Sequence, residues 1–169
     1  MDLSLTRRGD YVVRAAICLA RAYARAGYCK IREVAEEMDL PRSYTPQILG
    51  VLVQAGLAEA RAGRDGGYRL LRDPSRISLL ELVEAGEGPL RPSRCSLRGG
   101  PCRWDDMCAI HPAWDAATRA IEDSLGSTSL AALADVDAGL ASGVYPIPET
   151  SHRRQARGGD SNRQEPSTV

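Results

Sequence analysis

The residues of this chain best suited to chemistry lie in one stretch, residues 95–111, which holds three cysteines and a histidine. Six residues separate Cys95 from Cys102, five separate Cys102 from Cys108, and two separate Cys108 from His111. Thiolates this close together repel one another unless a metal neutralises them or oxidation joins them. The stretch also contains glycine and proline and shows neither a helical nor a strand period, so it predicts a loop that wraps a ligand.

A metal or an iron–sulfur cluster is the ligand that these thiols favour, because soft thiolates select zinc or iron–sulfur centres. Structural zinc sites usually bring two short ligand pairs, and Cys108 with His111 is the only short pair in the stretch. The wide, glycine-containing spacing therefore favours an iron–sulfur cluster, of either the 2Fe–2S or the 4Fe–4S type. Two alternatives stay open: a regulatory disulfide without metal, and free surface cysteines with no special role.

The composition is that of one domain followed by a polar tail. The chain has 169 residues and is 43% hydrophobic, which can supply a core of Leu, Val, Ile and Ala. We predict a domain over residues 1–135 and a disordered tail over residues 136–169, because the end of the chain is polar and rich in Pro and Gly. No apolar run reaches the roughly 18 residues that span a bilayer, and no signal peptide is recognisable. We therefore expect a cytoplasmic protein, where clustered cysteines more often bind metal than form disulfides.

The charge of the chain is distributed unevenly. Residues 1–76 carry 13 Lys plus Arg against 9 Asp plus Glu, an excess of +4, whereas residues 77–169 carry 9 against 13, an excess of −4. A basic first half is compatible with a polyanionic partner, although this excess is a weak signal by itself.

Three apolar patterns in the first half predict helices. The first helix covers residues 10–26, with Gly27 as its stop and Cys18 as a small core residue; Cys29, in the loop beyond, is uninformative. In the second helix, residues 31–38, apolar residues follow the i, i+3, i+4, i+7 pattern. The third runs to Gly56, with Ser43 as its N-cap. Two short helices joined by a tight turn predict a helix-turn-helix, whose second helix presents these residues near its start: Arg42, Ser43, Tyr44, Thr45 and Gln47.

A basic hairpin follows the third helix at once. Residues 57–60 and 68–71 predict two short strands, joined by a glycine-rich turn over residues 61–67. A helix-turn-helix followed by such a hairpin predicts a winged helix, with the recognition helix in the major groove of DNA. Arg61 and Arg64 would reach phosphates or a minor groove, while Gly66 and Gly67 let the backbone approach the duplex. A solvated hairpin or a protein-interaction module is the alternative.

The second half predicts further helices on either side of the cysteine stretch. Ser78 and Glu81 form a capping box for a helix that ends near Gly86 or Gly88, and residues 127–134 predict one more short helix. Pro112 starts the helix after the cysteines, whose apolar residues recur at close to heptad spacing. Such a seam indicates a second copy of the chain as partner, and the alternative is that it packs on its own domain. The seam consists of Trp114, Ala117, Ile121 and Leu125.

Taken together, these motifs resemble the Rrf-two family of bacterial transcription regulators over roughly residues 1–135. The resemblance is carried by LSLTRRGDYVVRAA, SYTPQIL, RDGGYRL, ISLLELVEAGEG and the spacing C-x₆-C-x₅-C-x₂-H. It implies a homodimer with a long carboxy-terminal dimerisation helix and an iron–sulfur cluster near each wing. Cys95, Cys102 and Cys108 match the cluster cysteines of that family. The fourth ligand is His111 in one branch of the family and, in another, an aspartate of the other subunit that corresponds to Asp10.

The sequence thus predicts a mainly helical fold with a small β-hairpin wing. Its function would be that of a homodimeric DNA-binding regulator, a repressor, with one iron–sulfur cluster per subunit sensing redox state, nitric oxide or cluster supply. A thiol-switch or zinc-containing regulator on the same scaffold is the alternative. A small thiol or zinc enzyme using Cys108 and His111 as nucleophile and base is disfavoured, because no β/α pattern that would build a pocket is present.

Overall fold

The computed structural model describes residues 4–25, 27–90 and 108–146, which form a helical domain with one β-hairpin. Within these ranges, no helix is long and apolar enough to cross a membrane. The predicted fold class is confirmed. The elements in chain order are α1 (Arg7–Tyr23), α2 (Ile31–Glu37), α3 (Thr45–Gln54), β1 (Ala58–Arg61), β2 (Gly67–Leu70), a 3-10 turn (Pro74–Arg76), α4 (Leu79–Glu87), α5 (His111–Ser127) and α6 (Leu130–Ser142).

The first helix, α1, lies at the centre of the core and contacts α2, α3, α4, α6 and β2. It starts earlier than predicted because Thr6 caps it: the Thr6 hydroxyl accepts a hydrogen bond from the Gly9 backbone N–H at 3.3 Å. It also ends earlier than predicted, at Tyr23 rather than at residue 26. Ending there allows the chain to turn back toward the hairpin. Its buried residues include Val12, Ala15, Ala16, Cys18 and Leu19.

The helix-turn-helix is formed by α2 and α3, with Asp39 in the left-handed region at φ 52° between them. The predicted N-cap Ser43 is wrong, since the capping position is occupied by Tyr44 and lacks a side-chain cap bond. Thr45 instead donates its hydroxyl to the Pro41 carbonyl oxygen at 2.9 Å, which ties the start of α3 to the turn. Ile31, the first residue of the apolar pattern that predicted α2, is 36% exposed.

The wing is an antiparallel hairpin in which Ala58 pairs with Leu70 and Arg61 with Gly67. The strands predicted over residues 57–60 and 68–71 are each displaced by one residue from the observed strands. One residue of a third segment bridges to this two-stranded sheet, because Cys29 and Tyr68 exchange two backbone hydrogen bonds, each 2.9 Å long. The wing is therefore anchored to the chain that leaves α1.

The predicted capping box of α4 is confirmed: Ser78 Oγ accepts from the Glu81 N–H at 3.2 Å, and Glu81 Oε2 accepts from the Ser78 N–H at 2.8 Å. At its other end α4 crosses α1 closely, since a Cβ added to Gly86 would lie 2.8 Å from the Gly9 Cα. The carboxylate of Glu87 accepts hydrogen bonds from the Thr6 N–H at 2.9 Å and the Thr6 hydroxyl at 2.7 Å. This crossing fixes where the chain leaves α4 toward the cysteine stretch.

The last two helices differ in how much they contribute to the core. None of the side chains of α5 is buried by the described part of the chain, whereas α6 buries Leu130 and Ala134. The short helix predicted over residues 127–134 is found at Leu130–Ser142, so helical structure continues past the boundary predicted at residue 135. Two interactions hold this extension: an ion pair of 3.2 Å between Arg21 and Asp137, and a left-handed C-cap at Gly143. The rest of the predicted tail, residues 147–169, lies outside the described residues.

Candidate nucleic-acid interface and metal ligands

Three of the five residues predicted to contact DNA near the start of α3 are exposed. Ser43 and Gln47 are exposed, and the Arg42 side chain is 64% exposed while it hydrogen-bonds the Glu36 carboxylate. Such side chains can donate to phosphates and base edges. The surface is therefore polar and contains one arginine.

Two residues predicted for this surface are less accessible. Tyr44 is half-buried, and its ring packs edge-on against Tyr11 with 6.1 Å between the ring centroids. Thr45 is fully buried, and its hydroxyl is used within the turn. The expectation that α3 exposes Thr45 is wrong, because this side chain is buried and bonds the preceding turn.

The two arginines predicted to contact DNA from the wing, Arg61 at the end of β1 and Arg64 in the turn, are both exposed. The Arg61 guanidinium lies 5.9 Å from the centroid of the Tyr28 ring. The Tyr28 hydroxyl in turn donates to Glu59 at 2.8 Å, and Arg69 Nε donates to the same carboxylate at 2.5 Å. The hydrogen bond from Tyr28, and after it the one from Arg69, lowers the pKa of Glu59. Glu59 is therefore negatively charged near neutral pH, and this charge is paired with Arg69.

Lys30 positions the wing turn, a role that the sequence analysis missed. Its ammonium group donates to two backbone carbonyl oxygens of the turn, those of Arg64 and Gly66, the latter at 2.5 Å. The only signal in the sequence was that Lys30 is the single lysine of the chain. The bonds hold the turn that carries Arg64 against the start of α2.

The two wing glycines have a structural reason besides the predicted approach to DNA. A Cβ on Gly66 would lie 2.0 Å from the Arg61 carbonyl oxygen, and one on Gly67 would lie 2.4 Å from the Cys29 carbonyl oxygen. Gly67 also has φ 147°, in the region that favours glycine. Any side chain at either position would force the hairpin open.

Part of the predicted cluster motif lies at the start of α5. Cys108 and His111 fall on one turn, where the His111 backbone N–H donates to the Cys108 carbonyl oxygen at 3.2 Å, and both residues are half-buried. Cys95 and Cys102 lie outside the described residues. Sulfur and imidazole are donors that iron–sulfur centres accept, so the chemistry of the described pair fits the predicted group.

Asp10 lies in the first turn of α1, with its side chain 50% exposed and Arg14 Nη1 3.4 Å from its Oδ2. Within residues 4–25, 27–90 and 108–146, no three His, Cys, Asp or Glu side chains come together as a metal site. Asp10 and the pair at the start of α5 therefore do not form a complete site among the described residues.

Comparison with known proteins identifies the family. The model of the Rrf2 family, described as iron-dependent transcriptional regulators, matches residues 5–136. The IscR transcriptional regulator of Xenorhabdus nematophila is 31% identical over 128 residues, which cover 76% of this chain and 77% of the relative.

Two solved structures share the fold. The IscR of T. potens matches with a TM-score of 0.63 and 28% identity, covering 83% of this chain and 92% of that one. CymR, described as the global cysteine regulator of B. subtilis, matches with a TM-score of 0.64 and 26% identity, covering 80% and 98%. These relatives are transcription regulators, which confirms the expectation of a regulator rather than an enzyme. The chain belongs to the Rrf2 family of DNA-binding transcription regulators.

Proposed function

We propose that the chain binds operator DNA through the start of α3 and the wing. Gln47 on α3 would contact base edges in the major groove, flanked by Arg42, Ser43 and the partly accessible Tyr44. This assignment is supported by the exposure of these positions and by the winged-helix arrangement. The buried Thr45 would act only by shaping the turn.

The wing would supply the second contact. Arg61 and Arg64 would reach phosphates or an adjacent minor groove, and Gly66 and Gly67 keep the turn narrow enough to approach the duplex. The support is the exposure of both arginines on a hairpin that Lys30 holds in place.

The cluster proposal assigns Cys95, Cys102 and Cys108 as ligands of one iron–sulfur cluster per subunit, of 2Fe–2S or 4Fe–4S type. His111, or Asp10 from the other subunit of a homodimer, would be the fourth ligand. When bound, such a cluster supplies a redox-sensitive and labile centre. An imidazole ligand would couple the site to pH, whereas an aspartate from the partner would couple it to the subunit interface.

One observation carries the proposed link between cluster and DNA. The turn that holds Cys108 and His111 opens α5, and none of the side chains of α5 is buried by the described part of the chain. A second copy of the chain would cover the part of this apolar seam that stays exposed, and two copies suit a palindromic operator. A change in cluster ligation at this turn would move α5, and α5 would set the spacing of the two recognition helices in the dimer. The chain would then act as a cytoplasmic repressor.

The cluster is tested by anaerobic purification followed by iron analysis and visible absorption. We expect a brown protein, and we expect His111→Ala or Asp10→Ala to lower iron content and change the spectrum. His152→Ala, which removes the only other histidine, is the matched control and should leave both unchanged. A colourless protein without iron would contradict the cluster.

The DNA interface is tested by gel shift with a duplex selected by the protein from a randomised library. Gln47→Ala should weaken binding and relax sequence preference, while Arg64→Ala should weaken it equally across sequences. Arg76→Ala, in the 3-10 turn, is the control for loss of one charge. Normal binding by the first two variants would refute the interface.

A regulator that senses thiols without a cluster is the second candidate. It is supported by the match to CymR, whose description names cysteine regulation. A colourless protein whose operator affinity still depends on reductant would favour this candidate, and bound zinc would favour a zinc-containing form.

A further inference from the structure

Two cysteines outside the cluster motif lie side by side in the core. Cys18 on α1 is 2% exposed, Cys29 in the segment before α2 is 7% exposed, and both belong to the same hydrophobic cluster. Each thiol is the largest influence on the pKa of the other, and the Glu37 carboxylate lies beside the pair, with its Oε2 3.7 Å from the Cys18 sulfur. Residues 11 positions apart in sequence are thus brought together by the turn that ends α1 early.

The surroundings make the two thiols unequal. The Cys18 thiol can donate its proton to the Cys29 sulfur or to Glu37 Oε2, 3.7 Å away. The hydrogen bond with Cys29, burial and the Glu37 charge all raise the pKa of Cys18. Accepting that hydrogen bond lowers the pKa of Cys29, although burial, Glu33 and Glu37 oppose the shift and Arg25 assists it. Cys29 is therefore the better nucleophile of the pair, and it also lies nearer to solvent.

The pair also lies at the base of the wing. The Cys29 backbone exchanges two hydrogen bonds of 2.9 Å with Tyr68 in β2, and its carbonyl oxygen is the atom against which Gly67 packs. Cys18 lies on the central helix α1, which contacts β2 directly. A covalent change at the two sulfurs would thus act between α1 and the wing.

We propose that Cys18 and Cys29 form an oxidisable dithiol, a redox site separate from the Cys95–Cys108 motif. The oxidant is a hydroperoxide, small enough to reach a nearly buried sulfur. The Cys29 thiolate attacks the terminal peroxide oxygen, the O–O bond breaks, and the leaving oxygen takes up a proton, so that Cys29 becomes a sulfenic acid. Cys18 then attacks this sulfur and its thiol proton passes to the leaving oxygen, so the S–O bond breaks and water leaves as the disulfide forms. Two thiols lose two electrons in total, and with hydrogen peroxide two waters are released.

Closing the disulfide changes the geometry at the wing. The sulfurs must approach to about 2.05 Å, well inside hydrogen-bonding distance. Cys29 is the more movable partner, because it lies outside the helices while Cys18 is fixed in α1. Its shift carries Tyr68 and the hairpin with it, so the oxidised protein binds operator DNA more weakly. This last step rests on the DNA binding of the family, whereas formation of the disulfide does not.

The disulfide is tested on the full-length wild-type protein by peptide mapping. Trypsin separates the five cysteines onto five peptides, with Cys18 on AAICLAR (15–21) and Cys29 on AGYCK (26–30). After stoichiometric hydrogen peroxide, alkylation and digestion without reductant, we expect these two peptides joined and recovered singly after reduction. Recovery of both as separate alkylated peptides, or of Cys29 joined to a different cysteine, would overturn the proposal.

The effect on the wing is tested by operator affinity before and after peroxide, with the library-selected duplex. Because peroxide also affects Cys95, Cys102 and Cys108, the informative quantity is the difference from Cys18→Ala and Cys29→Ala, which keep that motif. We expect the wild type to lose at least roughly fivefold more affinity than either variant. Dithiothreitol should restore this additional loss. Equal losses in all three proteins, with the disulfide mapped, would remove the coupling to the wing. Absence of DNA binding in every reduced protein would instead refute the proposed interface.

Discussion

At the scale of single residues, we expect Lys30 to affect DNA binding by positioning the wing turn. Its ammonium group holds the carbonyl oxygens of Arg64 and Gly66, so it fixes the turn that presents Arg64. We expect Lys30→Met to weaken operator binding roughly five- to tenfold, in line with the ~1.5–3 kcal/mol of a hydrogen bond to a charged group, reduced by exposure. Gel shift or fluorescence anisotropy measures the change.

A control variant distinguishes two effects of Lys30→Met on DNA binding: the loss of the hydrogen bonds that position the wing turn, and the loss of one positive charge from the protein. Arg76→Met removes one positive charge from the exposed 3-10 turn, away from the wing, and should cost little affinity. Lys30→Arg keeps a charged donor and should restore part of the binding. Equal losses for Lys30→Met and Arg76→Met would show that charge alone matters.

Single residues are also where sequence reasoning was least reliable. Cys18 was correctly predicted as a core residue, but nothing in the spacing of Cys18 and Cys29 indicated that the thiols would meet. The two thiols can meet because α1 ends at Tyr23. The backbone pairing of Cys29 with Tyr68 favours this end over Gly27, the stop that the local sequence indicates. Thr45 was misplaced for a similar reason, since a polar residue at a helix start is also suited to hydrogen-bonding the preceding turn.

At the scale of elements, the capping box of α4 predicts a pH-dependent contribution to stability. Burial raises the pKa of Glu81, but hydrogen bonds from the Ser78 N–H and from Arg72 Nη2 at 2.6 Å outweigh burial, and the net shift is downward. A depressed pKa in the folded state means that the carboxylate stabilises the fold above the ordinary pKa of about 4.3, and that this contribution is lost as pH falls below it. Glu81→Gln should therefore lower the free energy of unfolding by about 0.5–1 kcal/mol at pH 7 and by almost nothing near pH 3.

Urea unfolding at both pH values measures the Glu81 effect. Asp135→Asn, an exposed carboxylate on α6 outside the capping box, is the control and should give the same small difference at each pH. A Glu81→Gln deficit that persists unchanged at pH 3 would mean that the carboxylate charge is not responsible.

The crossing of α1 and α4 depends on two glycines. A Cβ at Gly86 would lie 2.8 Å from the Gly9 Cα, a backbone atom that cannot move away without shifting α1. We expect Gly86→Ala to destabilise the protein by about 1–3 kcal/mol, as in other overpacked contacts, with a lower midpoint in thermal unfolding. Gly50→Ala within α3 meets nothing within 4 Å and should instead stabilise by about 0.5–1 kcal/mol. Similar changes in both variants would show that helix propensity, not the crossing, dominates.

At the scale of the whole molecule, the sequence predicted the order and type of the elements better than their extent. Period and capping signals are local, so α2, the hairpin and the start of α4 were correctly located to within a residue or two. The length of α6 was missed because its support, the ion pair between Arg21 and Asp137, joins residues 116 positions apart. The assembly of the cluster ligands stays a prediction, because two of the three cysteines lie outside the described residues.

The apolar seam of α5 predicts that the chain is a homodimer. Trp114 is 36% exposed, and Ile121 and Leu125 are half-buried, so the described chain covers this face only in part. Ile121→Glu places a charge in the seam and should shift the mass measured by light scattering from twice 18.2 kDa toward 18.2 kDa. Because a palindromic operator is read by two linked recognition helices, the same change should weaken operator binding by more than tenfold while circular dichroism stays helical. Ala116→Glu, on the opposite face of the same helix, should leave mass and binding unchanged, and a dimer that survives Ile121→Glu would place the interface elsewhere.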